Sequence, residues 1–99
     1  MRLKPNEINV IKDAIADVFG DHASVRLFGS RLDDTARGGD IDLMVSLDAP
    51  IEEPASCIAK AQAKMIMALG DRKIDVVLDA PNLTHTSIHQ IAKAQGVVL

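Results

Sequence analysis

Apolar positions along the chain recur with two periods, and the switches between them mark out the elements. Over residues 5–19, Ile8, Ile11, Ile15, Val18 and Phe19 fall on one stripe at 3.6-residue spacing, with Asn9, Lys12, Asp13 and Asp17 opposite, which predicts a helix. Pro5 suits its first turn and Gly20 its end. Residues 24–28 alternate, Val25 and Leu27 against Arg26 and Phe28, as a strand does. A second strand is predicted over 40–47, with Ile41, Leu43, Val45 and Leu47 on one face and Asp40 and Asp42 on the other. The alanine-rich stretch 53–69 predicts a helix with Ile58, Ala61, Met65, Ile66 and Leu69 inward, stopped by Gly70. A third strand, 73–78, puts Ile74, Val76 and Leu78 on one face and Asp75, Val77 and Asp79 on the other. Residues 86–95 predict a last short helix with Ile88, Ile91 and Ala92 inward, ended by Gly96. Ser30, a preferred N-cap residue, would start a further short helix over 30–37.

This order predicts an α/β (α+β) fold in which a three-stranded sheet carries its helices mainly on one face. Ninety-nine residues suffice for one core and not two, so residues 1–99 are expected to form a single domain. Composition narrows the partners. With 47% apolar and 25% charged residues the chain is of ordinary globular type, and no apolar stretch approaches the roughly 20 residues of a membrane span. A net charge of −3, two Phe and no Trp or Tyr leave neither a basic footprint nor stacking platforms for direct nucleic-acid binding. The single Cys57 permits no internal disulfide, and the start lacks an apolar leader segment. Together these features suggest a reducing, cytoplasmic setting.

The chemistry concentrates where the first two strands meet the polar stretch 29–40. Asp40 and Asp42, two apart in a strand, point the same way. At about 4 Å, two carboxylates repel by roughly 1 kcal/mol in water and about 4 kcal/mol in a partly buried site, so the pair is costly without a cation. Hard oxygen ligands on one rigid face suit Mg²⁺ shared with substrate phosphates. Gly29-Ser30, ending the first strand, offers a turn that approaches a ligand closely and N–H groups for phosphate.

Phe28-Gly29-Ser30-Arg31, then Arg37-Gly38-Gly39-Asp40-Ile41-Asp42-Leu43 inside an apolar strand, resembles the signature of the minimal nucleotidyltransferases. These belong to the DNA polymerase β-like nucleotidyltransferase superfamily, and the order of helices and strands extends the resemblance over nearly the whole chain. The resemblance implies a mixed sheet and Mg²⁺ held by Asp40 and Asp42. It implies a third carboxylate on the third strand, matched here by Asp75, completing the metal site and activating the acceptor hydroxyl. Gly29 and Ser30 become nucleotide-binding residues, and Arg31, with Arg37 behind it, a candidate counter-charge for the triphosphate. Asp79 reads as a strand-end surface residue. His85 and His89 read as capping or exposed, and His22 sits in a loop. None of the three histidines has zinc spacing.

The activity so implied is transfer of AMP from ATP to a hydroxyl. No stretch is left over for an acceptor-binding domain, so the acceptor is expected to dock on the open site or to meet a wall supplied by a partner. Minimal family members are commonly paired with a small helical HEPN-domain protein, the nucleotidyltransferase acting as an antitoxin that adenylylates the toxin. The Val97-Val98-Leu99 end, apolar if left exposed, also favours a partner, and a homo-oligomer is compatible with the same reading. Two alternatives stand beside it: a non-catalytic antitoxin that masks its partner, and half of an antibiotic-type nucleotidyltransferase built from two chains.

Overall fold

The structure, a computed structural model, describes residues 3–29, 41–70 and 72–99. Its elements in order are α1 (Pro5–Phe19), β1 (Ser24–Phe28), β2 (Ile41–Ser46), α2 (Pro54–Leu69), β3 (Ile74–Asp79), α3 (Ser87–Gln95) and β4 (Val97–Val98). Among the described residues this is a mixed α/β arrangement of three helices and one four-stranded sheet in the order β3-β2-β1-β4. β1 runs antiparallel to β2 and to β4, while β2 and β3 are parallel.

The long helices form because the stripes that predict them have a sheet to cover. Ile11, Ala14 and Ile15 of α1 and Ala61 and Met65 of α2 are buried against Leu27, Ile41, Leu43, Val45, Ile74 and Leu78. These sheet residues all lie on one face by alternation. α1 starts at Pro5, and the Glu7 carboxylate accepts the Lys4 N–H at 2.9 Å, so one of the orphan N–H groups of the first turn is satisfied.

Two features differ from the sequence expectation. The sheet has four strands, not three. Val97 and Val98 pair with Leu27 and Arg26, and the Leu99 N–H donates to the Val25 carbonyl at 3.0 Å. The chain end therefore covers the outer edge of β1, whose backbone groups would otherwise lack partners. It does not hang free as an apolar tail, although Val97 and Val98 remain 43% and 57% exposed.

The second concerns α3. The two long helices, α1 and α2, share one face as expected, while the short α3 packs Ala92 against Phe28, Met44 and Val77 on the opposite one. α3 is moreover turned from the expected orientation, with His89 and Ala92 inward while Ile88 and Ile91 are 42% and 48% exposed. His89 explains the turn. Its Nδ1 accepts the Thr86 N–H at 3.0 Å, capping the helix, and its Nε2 donates to the Leu78 carbonyl at 2.8 Å.

Among the described residues β3 is an edge strand, and two of its outward carbonyls, those of Ile74 and Leu78, are covered. Lys73 and Asp79 accept from Ile41 and Leu47 on the β2 side. On the other side, Gln62 Nε2 donates to the Ile74 carbonyl at 2.7 Å, and His89 takes Leu78. Such plugs blunt an edge that could otherwise recruit another strand.

Candidate functional site

On the face carrying α3, the side chains of β1, β2 and β3 lie in rows set by the register. Phe28, Asp42 and Asp75 form one row; Arg26, Met44 and Val77 the next; Ser24, Ser46 and Asp79 the last. The middle of this face is apolar and carries Ala92 of α3. The end formed by Phe28, Asp42 and Asp75 presents two carboxylates on adjacent parallel strands, whose backbones are ~4.8 Å apart.

Gly29 closes this end. Its φ is +78°, in the left-handed region that side chains with a Cβ resist. A methyl group built there would overlap the Asp42 carboxylate, with Cγ at 3.2 Å and Cβ at 3.4 Å. The chain thus leaves β1 through a glycine pressed against the first acidic strand. Both its dihedral and its neighbour require the missing side chain.

Of the residues singled out from sequence, Gly29, Asp42 and Asp75 are thereby brought together. Ser30, Arg31, Arg37 and Asp40, with the short helix expected over 30–37, lie outside the described residues. Among the described residues no group of three or more His, Cys, Asp or Glu is gathered as a metal site needs. Asp42 and Asp75 supply two oxygen donors on one rigid face. That fits a Mg²⁺ ion, which takes one or two carboxylates and completes its shell with water and phosphate.

Lys73 was not singled out from sequence. Its Nζ lies 3.9 Å from Asp75 Oδ2, with both side chains about half exposed or more. So exposed a pair contributes little stability, but it places one cation beside the acidic pair. Parity was the available signal, since Lys73 and Asp75 are two apart in a strand.

Asp79 differs more sharply from expectation. It is not a surface residue: its side chain is 15% exposed. Ser46 Oγ donates to it at 3.1 Å, Lys93 Nζ lies at 3.3 Å, and His85 Nε2 meets its other oxygen. The His85 contact first, then Lys93 and Ser46, hold its carboxyl below the usual aspartate range, with burial opposing. These partners come from β2, α3 and the loop before it, so Asp79 pins α3 to the sheet. His85 and His89 act structurally, and His89 takes the capping role expected of it. A cleft of about 380 Å³ among Phe19, His22, Leu47, Pro50, Ile51 and Cys57 lies beyond the opposite end of β2 from Asp42.

No protein-family model matches the chain, and a comparison with curated proteins finds no match. No helix of the described residues is long and apolar enough to cross a membrane.

Proposed function

We propose that the chain is a Mg²⁺-dependent nucleotidyltransferase that moves AMP from ATP to a hydroxyl acceptor. The observation that carries the reading is the in-register Asp42–Asp75 pair on parallel neighbouring strands, with Gly29 pressed against Asp42. The resemblance of 28–43 to the minimal nucleotidyltransferases supports it, and so does the sheet that seats Phe28 and residues 41–43. In this reading Asp40 joins Asp42 and Asp75 as a metal ligand, and Ser30 and Arg31 join Gly29 at the nucleotide.

Asp42 and Asp75 would hold Mg²⁺, which when bound supplies neutralisation of the triphosphate and of the departing pyrophosphate. The chain's own residues do the rest. Gly29, lacking a side chain, lets the nucleotide phosphates come against the backbone where β1 ends. Asp75 takes the proton of the acceptor hydroxyl. The acceptor oxygen bonds to the α-phosphorus, the bond from that phosphorus to the α,β-bridging oxygen breaks, and pyrophosphate leaves. Positioning and charge neutralisation provide most of such catalysis.

A partner protein presenting a hydroxyl, of the small helical HEPN type that the resemblance implies, is the acceptor in this reading. The chain would then act as an antitoxin by modification and not by masking. The test incubates the protein and Mg²⁺ with source-cell lysate and ATP labelled at either the α- or the γ-phosphate. The expected result is α-label, and no γ-label, fixed to one small protein, and no label with Asp42→Asn. A partner neutralised equally well by Asp42→Asn, with no label fixed, would favour masking and contradict the enzyme reading.

A further inference from the structure

The residues just before Asp75 are tied to three different elements. Arg72 Nη1 donates to Glu7 Oε2 of α1 at 2.5 Å. The Lys73 carbonyl accepts the Ile41 N–H of β2 at 2.9 Å. The Ile74 carbonyl accepts from Gln62 Nε2 of α2 at 2.7 Å. Three consecutive residues are anchored, each by another part of the fold, and the next residue is Asp75.

Glu7 needs a reason to be where it is. It is 6% exposed and one of the two polar residues buried among those described. An exposed carboxylate would cap α1 as well. Burying an ion pair costs desolvation that its attraction offsets only with good geometry, and an apolar pair of similar volume often serves stability equally or better. An apolar pair lacks direction. A guanidinium held by a carboxylate fixes the backbone that carries it, because the charged hydrogen bond has a preferred geometry. Register also matters at this place, since a slip of one residue along β2 would turn Asp75 to the other face of the sheet.

We propose that Glu7, Arg72 and Gln62 are positioning residues that hold Asp75 in register opposite Asp42. The proposal rests on the reading of Asp42 and Asp75 as the cation-binding pair. Gln62 sets the outer side of the strand, Arg72 fixes the point where the chain enters it, and Glu7 ties that point to the scaffold helix. None of the three is a metal ligand or nucleotide contact in this reading.

The test uses the full chain with the apolar replacement Glu7→Met/Arg72→Leu and, separately, Gln62→Leu. Three quantities are measured: the urea unfolding midpoint, amide exchange at Ile41, and Mn²⁺ affinity by titration calorimetry. The expected result is a double variant unfolding near the wild-type midpoint, yet exchanging the Ile41 amide about 10-fold faster. Its Mn²⁺ affinity falls by about 10-fold or more, as for supporting groups behind metal ligands. A merely structural pair would return both to wild-type values once stability is restored. Wild-type exchange and Mn²⁺ affinity in the well-folded double variant overturn the proposal. If the double variant does not fold, Gln62→Leu is judged by the same two readings and decides alone. Faster Ile41 exchange in the variants of a wild-type protein that binds no Mn²⁺ upholds the brace and overturns the cation site.

Discussion

Glu7 shows how much can rest on one carboxylate. It accepts the Lys4 N–H and meets Arg72, and these contacts hold its carboxyl below its ordinary value of 4.5, the Lys4 backbone bond acting first and burial opposing. A carboxyl whose folded pKa is depressed favours folding above its unfolded pKa, and that contribution is lost as the pH falls through the folded value. Glu7→Gln is therefore expected to cost roughly 1–2 kcal/mol at pH 7, the scale of a lost charged hydrogen bond, since the Arg72 left behind is a third exposed. The gap to wild type should narrow once the pH drops below 4.5, as followed by urea unfolding across pH 3–7. Asp79, depressed in the same direction, keeps part of the acid sensitivity in the variant. Gly29 makes a different prediction. Gly29→Ala forces a Cβ into the left-handed region, at about 1–2 kcal/mol, and into the Asp42 carboxylate. Denaturation should show a loss of at least that size, with MgATP binding weakened further. At this scale the shared face of Asp42 and Asp75 and the turn at Gly29 were legible, because strand parity and a turn glycine are local signals. Glu7 and Asp79 were not, since their partners are distant in sequence: Arg72 for Glu7, and Ser46 and Lys93 for Asp79.

Among the elements, α1, α2 and the first three strands follow from periodicity to within a residue or so at each end. α3 follows in its bounds but not in its orientation, because it carries two competing stripes. Ile88 and Ile91 make the more apolar one, but His89 faces the sheet with Ala92. Hydrogen bonding decided this: a histidine that caps its own helix and also covers a β3 carbonyl outweighs the partial burial of two isoleucines. His89→Leu leaves the Thr86 N–H and the Leu78 carbonyl without partners, at about 1–3 kcal/mol for each group. Ile88→Ser and Ile91→Ser should each stay within about 0.5 kcal/mol of wild type. Denaturant titration of the three variants distinguishes this orientation from the one periodicity predicts. β4 escaped sequence reading because two residues carry no period at all.

The whole molecule places an apolar sandwich beneath an acidic edge. One face of the sheet is sealed by α1 and α2, the other is partly covered by α3, and Asp42 and Asp75 stand at the end of that second face with Lys73 beside them. Lys73 and Asp75 are both about half exposed or more, and such a pair contributes little stability. Without divalent cations, Asp75→Asn should therefore stay within about 0.5 kcal/mol of wild type. Saturating MgATP should stabilise wild type by about 2.7 kcal/mol at 100 times its Kd, and Asp75→Asn far less. Thermal unfolding with and without MgATP reads both effects.

The most direct measurement of the central claim is calorimetric titration of ATP, with and without Mg²⁺, into wild type, Asp42→Asn and Asp75→Asn. Binding to wild type should require Mg²⁺ and be lost in each variant while the fold is retained. Equal binding by all three proteins, or binding indifferent to Mg²⁺, would contradict the assignment of this acidic pair as a metal–nucleotide site.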